Sequence, residues 1–295
     1  MAQRIQINTA YLFATLTVLG WSLGIVIGRY IHAEVPPIRL TFWRWSIAGL
    51  CLMPWALSNI RKEIHLILKI KKQIFWMGVF MIGASTLSMI SVNYTTAINV
   101  SIVNAGQALT TAPIAWLIFK EKLDRFQSLG IFLGCIGIIT MASRANITNL
   151  LELKFNIGDL FMLIAILGFG SYANTLRTMP RELSLSSITF SVIIAGCLFL
   201  LLFYLYKTIV YRTMPLDKSS IFWIIILATL TSLIPTYLWN ASVSAIGANK
   251  SAIFVNLIPV FGSTLAIIFL NEQLKFFHII GAISILIGIL FTIRR

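Results

Sequence analysis

Apolar residues in this chain come in long consecutive runs, separated by short polar or basic segments, with no sign of strict alternation. Ile279 to Ile293 is representative, being apolar at successive positions. Strands of a membrane barrel need about 10 residues of alternating character, whereas a membrane-spanning helix needs roughly 20 predominantly apolar residues. The pattern therefore predicts helices. Ten spans are expected, over residues 9–29, 38–58, 73–95, 98–119, 126–143, 157–177, 186–206, 219–240, 248–270 and 275–293.

Five of these spans repeat the other five. A shift of 148 positions aligns Leu12 and Phe13 with Leu160 and Phe161, Leu19 and Gly20 with Leu167 and Gly168, and Thr41 and Phe42 with Thr189 and Phe190. A shift of 147 pairs Asn93 with Asn240, and one of 151 pairs Glu121 with Glu272, Gly130 with Gly281 and Gly137 with Gly288. An odd number of spans per copy turns the second copy upside down in the bilayer. The expected architecture is an all-α integral membrane protein of ten helices, built as two inverted five-helix repeats. These cover residues 1–146 (spans one to five) and 147–295 (spans six to ten).

Composition changes the picture in two ways. With 58% hydrophobic and 11% charged residues, there are too few charges to coat a water-facing surface. The formal net charge of +14 raises the question of nucleic acid, but the charges fall in the loops, so no nucleic-acid partner is expected. The larger share of the 23 lysines and arginines, including Arg61, Lys62, Lys69, Lys71 and Lys72, lies on the side shared by both termini. The excess of positive charge places that side in the cytoplasm. Cys51, Cys135 and Cys197 lie within apolar runs without paired spacing, and read as small buried hydrophobes. The apolar run after Arg4 continues to about Ile27, which fits an uncleaved first span.

Some residues resist the apolar background. Arg44 lies between Trp43 and Trp45, about two turns into span two, where a guanidinium costs a few kcal/mol unless it snorkels or is paired. One reading puts it near the external interface, with tryptophans of the aromatic belt around it and Glu34 as partner. The other makes it a cavity cation that attracts a carboxylate or phosphate. Asn93 and Asn240 match late in spans three and eight, and Asn104 and Asn256 lie in spans four and nine. Buried amides need partners, so they either bridge helices or face a polar solute. Gln107, Thr110 and Thr111 make the middle of span four polar, as a wet cavity would require. Trp21, Tyr172 and Tyr237, with Trp239 nearer a span end, are packing residues or binding-site aromatics. Pro113, Pro235 and Pro259 interrupt spans four, eight and nine, where each removes a backbone donor and makes a bend or hinge.

Absences narrow the function. No Asp or Glu is placed at the middle of a span: Asp159 is at the start of span six, and Glu121 and Glu272 at span ends. Proton relays usually use mid-membrane carboxylates, so no built-in proton-coupling residue is evident. His32, His65 and His278 fall in or beside loops, without metal-ligand spacing. With no nucleophile elbow or phosphate-binding loop, an enzyme is not expected, nor a cofactor.

The segment "WNASVSAIGANKSAIFVNLIPVFGSTLAIIFLNEQLKFFHIIGAISILIGILF", Trp239 to Phe291, resembles the second repeat of the EamA branch of the drug/metabolite transporter superfamily. "WSLGIVIGRYIHAEVPPIRLTFWRWSIAGL", and "NYTTAINVSIV" with "WLIFKEKL", are similar to first-repeat segments, so the likeness spans essentially the whole chain. The resemblance implies a central cavity lined by spans one to four and six to nine, spans five and ten at the periphery, and alternating access. Arg44 matches the family's common span-two arginine, Glu121 and Glu272 its repeat-end glutamates, and Pro259 its span-nine proline. Ala108 stands where the first repeat often has that proline, so the bend of span four is expected to move towards Pro113. Ser22 and Gly24 stand where many relatives carry Gly and Asn.

The resulting expectation is a multi-pass carrier of the bacterial inner membrane with both termini cytoplasmic. Its cargo would be a small polar metabolite, an amino acid or related zwitterion, usually exported. Trp21, Arg44, Asn93, Asn104, Gln107, Tyr172, Tyr237, Trp239, Asn240 and Asn256 would bind it. Pro113, Pro235, Pro259, Glu121 and Glu272 would shape or gate the path. The alternative cargo is nucleotide-like, sugar-phosphate or S-adenosylmethionine-type, moved by exchange. Partners are the solute and membrane lipid, with a proton or other coupling ion left open and a monomer as the default.

Overall fold

A computed structural model describes residues 7–120, 124–146, 148, 156–211, 218–246, 251 and 254–293. Glu121 lies outside the described residues. The chain is all-helical, with no strand among the described residues. Helix α1 is Ile7–Tyr30, α2 Pro37–Lys69 and α3 Lys71–Tyr94, the last interrupted by a π turn over Val79–Gly83. Helices α4 Ala97–Ala105 and α5 Gln107–Phe119 follow, then α6 Arg125–Ala142, α7 Ile157–Leu176 and α8 Leu185–Tyr211. Helix α9 starts at Lys218, passes a π turn at Thr229–Leu233 and ends with Ile234–Ile246. Helices α10 Ile258–Leu270 and α11 Phe276–Ile293 complete the bundle. Among the described residues, six helices are long and apolar enough to cross a membrane, and Ile258–Leu270 and Phe276–Phe291 are shorter apolar helices.

The helix starts have local causes. Pro37 and Pro259 occupy the first turns of α2 and α10, where a missing N–H leaves nothing unsatisfied. Thr96 caps α4 by accepting from Asn99 N, and Asn156 caps α7 by accepting from Gly158 N at 2.7 Å. Asp124 and Gln127 form a reciprocal capping box on α6.

Helix α2 runs to Lys69, well beyond the expected end at residue 58. Its last turns put Arg61 and Lys62 in solvent while Ile60, Leu66 and Ile67 pack inward. The helix is amphipathic there, so no continuous apolar run marks it. Span four breaks at Gly106, between α4 and α5, whereas Pro113 sits inside α5. The expected displacement of the bend towards Pro113 does not occur. Gly106 is held because a Cβ there would lie 2.9 Å from Val103 O.

The two halves share these irregularities. The break at Gly106 corresponds, at the 151-residue shift, to the break at Leu257 before α10. Left-handed residues end α5 at Lys120 and α10 at Asn271, again at that spacing. Pro235 explains the π turn of α9, since a missing N–H four residues after Thr231 cannot close the normal α-helical bond.

Spans five and ten pack on each other within one chain. A Cβ on Gly288 would meet Gly130 O at 2.5 Å, and one on Gly137 would meet Gly281 O at 2.8 Å. Bare glycine thus lets α6 and α11 approach backbone to backbone. Leu198, Leu202, Ile209 and Leu290 are among the large apolar side chains on the outside, the surface that lipid requires.

Candidate functional site

A cavity of about 120 Å³ lies between α1, α2, α3, α4, α5, α7 and α9. Both π turns deliver side chains to its wall, Met81 from α3 and Thr231 from α9. Trp21 and Trp239 meet across it with ring centroids 5.3 Å apart, giving one apolar aromatic wall.

Opposite chemistry is supplied by Arg44. Its side chain points inward and is only 5% exposed, so the interfacial reading with Glu34 as partner does not describe it. Nη2 donates to Ser85 Oγ, which also accepts from Trp45 Nε1 at 3.1 Å. The guanidinium carbon lies 5.6 Å from the Trp45 ring centroid, a cation–π arrangement. Arg44 Nε has no partner, and no Asp or Glu lines the cavity among the described residues. A buried guanidinium stays charged, so this cavity carries a positive charge that no neighbouring carboxylate balances.

Two further cavity groups are left without partners, Asn104 Oδ1 and the Tyr172 hydroxyl. Each unsatisfied buried group costs about 1–3 kcal/mol. The site thus combines a cation, an amide acceptor and a phenol with an aromatic wall. Such a set can hold a small molecule carrying both charges and an apolar part.

Six of the expected binding residues meet here: Trp21, Arg44, Asn104, Gln107, Tyr172 and Trp239. Four do not line the cavity. Asn93 Nδ2 donates to Met89 O one turn back, at 2.8 Å. Asn240 Nδ2 donates to Thr189 Oγ1 at 2.9 Å, bridging α9 to α8, although its Oδ1 lacks a partner. Asn256 sits at the break before α10 with its Oδ1 unpartnered. Tyr237 is 45% exposed and lines an outer groove with Trp55 and Asn59. Ser85, Ser88, Thr231 and Thr236 were missed by the sequence reading. Ser85 and Ser88, three apart on an apolar helix, were a legible signal of one polar stripe.

The gating candidates fall elsewhere. Pro235 accepts at its carbonyl from Thr17 Oγ1 at 3.0 Å and packs on Gly20. Pro259 opens α10 beside the Asn256 break. Glu272 crosses between the halves, its two oxygens accepting from Ala97 N and Ile98 N at 2.8 and 2.9 Å, with Arg29 Nε 4.0 Å away. Those N–H groups are orphans at the start of α4, so a second-half carboxylate caps a first-half helix.

The sequence profile of the EamA-like transporter family matches this chain twice, over residues 8–143 and 156–294. Among relatives, the transporter YyaM of Bacillus subtilis is 26% identical over 276 residues, covering 90% of this chain and 87% of its own. A probable amino-acid metabolite efflux pump of Salmonella typhimurium is 25% identical over 297 residues, covering 96% and 95%. One protein solved by crystallography superposes with a TM-score of 0.61 over 96% of both chains at 16% identity, a likeness of fold. Together with the apolar helices around a cavity that carries a few polar groups on a mostly apolar wall, the double match establishes that this chain belongs to the EamA-like transporter family, whose members are membrane transporters and not enzymes.

Proposed function

We propose that the protein is an alternating-access carrier of small zwitterions, amino acids above all, and that it acts in export across the bacterial inner membrane. The observation that carries this reading is the unmatched set in the cavity. Arg44 offers its Nε and its charge, and Asn104 Oδ1 offers an acceptor with nothing bound to it. A carboxylate completes the first through charge-assisted bonds, an ammonium completes the second, and the apolar side chain lies on Trp21 and Trp239. The name of the Salmonella relative agrees with this cargo. Size agrees too, because about 120 Å³ is small beside the roughly 300–1,000 Å³ of drug-sized sites.

Alternating access would come from two inverted halves, residues 1–146 and 147–295, with both termini in the cytoplasm. The matched breaks at Gly106 and Leu257 and the two π turns support this, since they give each half helix irregularities at corresponding positions, where bending is easiest. Glu272 would hold one end shut, because separating the halves there uncovers the Ala97 and Ile98 N–H groups.

A net-anionic cargo, nucleotide-like or sugar-phosphate, is the second reading. It is favoured by the cavity's single sign of charge. Counterflow into proteoliposomes preloaded with amino acids, nucleosides or sugar phosphates separates the two. Stimulation by amino acids supports the zwitterion reading, and stimulation by phosphorylated compounds alone replaces it with the second.

A further inference from the structure

Away from the cavity, one end of the bundle buries a chain of polar side chains that transport of a zwitterion does not use. Asp159, in the first turn of α7, is 1% exposed, and His278, in the first turn of α11, is 3% exposed. The sequence had put both at span ends or loops, yet they are internal. Between them lies Asn99 of α4, with Thr95 just before that helix.

The directions of the bonds in this chain are fixed by chemistry. Lys275 N–H can only donate, and it does so to His278 Nδ1 at 2.8 Å. That nitrogen therefore carries no proton, so the imidazole is neutral and its hydrogen sits on Nε2. Nε2 then donates to Asn99 Oδ1 at 2.8 Å. With its oxygen so engaged, the Asn99 amide directs its Nδ2 hydrogens at Thr95 Oγ1, 2.9 Å away, and at the Asp159 carboxylate, 3.2 and 3.3 Å away. Thr95 Oγ1 passes its own hydrogen to Asp159 Oδ1 at 2.8 Å. Every donor in the chain points one way, and the last acceptor is Asp159.

The carboxylate has no cation on it. Among the described residues the one ion pair within 4.0 Å is Arg29–Glu272. The charged groups around the junction are Arg29 from α1, Glu272 and Lys275 from the segment before α11, and Arg144 from the end of α6. Arg144 acts through space on both Asp159 and His278, and Lys275 on His278. The α4 residues in the chain, like Thr95, contribute no titratable group.

We propose that Asp159 is a proton-binding site, and that the Thr95–Asn99–His278 chain links its occupancy to the opening of this end of the carrier. A proton from solvent adds to a carboxylate oxygen, and no other covalent bond changes. Adding it removes the negative charge at which Thr95 and Asn99 are both directed, and charge-assisted bonds are roughly twice as strong as neutral ones. The junction that ties α4 to α7 and α11 then slackens. By linkage, the opened end binds the proton more tightly than the closed end. Only the consequence for transport rests on the carrier reading; the site itself does not.

Hydrogen exchange of the full chain in lipid nanodiscs tests this without any solute. Protection of residues 97–105 and of the first turn of α11 is followed from about pH 8 to about pH 5, after division by the intrinsic exchange rate at each pH. The expected result is a roughly tenfold loss of protection towards low pH in the wild type, the scale of one charge-assisted bond. Asp159→Asn should show the low protection at every pH. Glu272→Gln should keep the pH dependence in both segments, and His278→Gln should keep it in residues 97–105 while weakening it in the first turn of α11, which assigns it to Asp159 even if Asp159→Asn does not fold. A flat wild-type profile, a pH dependence that survives in Asp159→Asn, or one abolished by Glu272→Gln overturns the proposal. A flat profile beside intact amino-acid counterflow removes the proton site alone, and a failure of counterflow leaves the exchange result standing.

Discussion

The cavity and the polar junction at the end of the bundle are built from similar side chains and solve opposite problems. At the junction, Glu272, Asp159, Asn99 and His278 saturate one another and the free N–H groups of α4. In the cavity, Arg44 Nε, Asn104 Oδ1 and the Tyr172 hydroxyl are left without partners. A saturated polar cluster fixes helices relative to one another. An unsaturated one beside an aromatic wall suits a ligand that brings the missing partners, the role proposed above for this cavity. Asn240 Oδ1 and Asn256 Oδ1 also lack partners away from the cavity, so what marks the cavity is that its unpartnered groups converge on one space beside the two tryptophans.

That contrast can be broken at four places. Arg44→Gln should have the largest effect, a roughly 100-fold fall in amino-acid counterflow below saturation, the scale for removing one partner of a buried charge pair. Arg44→Lys should rescue little of it, because a point charge does not reproduce the guanidinium fork. Trp21→Ala should raise KM by about tenfold with kcat little changed. Glu272→Ala should act on stability and on opening, not on solute choice, leaving two N–H groups of α4 uncapped at a cost of about 1–2 kcal/mol. Thermal unfolding should show this as a drop of roughly 2–4 °C, with the order of preferred solutes unchanged. Asn93→Ala, whose amide donates to Met89 O one turn back in its own helix, should change KM by less than about twofold. A large transport defect there would erase the distinction between cavity and scaffold.

How much of this was legible in the sequence depended on whether one helix sufficed to show it. Apolar runs located the helices, because length and hydropathy belong to each segment alone. The basic extension of α2 to Lys69 was not seen, since an amphipathic turn breaks the apolar run that marks a span. Nothing in Val79 to Gly83 announces a π turn, whereas Pro235 gives the one in α9 a local cause. Composition picked out Arg44, Asn104 and Trp21, but it could not say that Asn240 faces Thr189 instead of the cavity. Facing is a property of two helices, and a single helix pattern leaves it open. Asp159 and His278 were passed over for the same reason: each is near a span end in sequence, and other helices cover it.

The central claim is that the cavity is completed by a molecule carrying both a carboxylate and an ammonium. The most direct measurement is proteoliposome counterflow with each amino acid that drives exchange, set beside its carboxamide, which lacks the carboxylate, and its N-acetyl form, which lacks the ammonium. Exchange by the parent amino acid is expected, with loss of it in both derivatives and the larger loss in the carboxamide. Equal exchange by parent and carboxamide would contradict it, because Arg44 would then be recognising nothing.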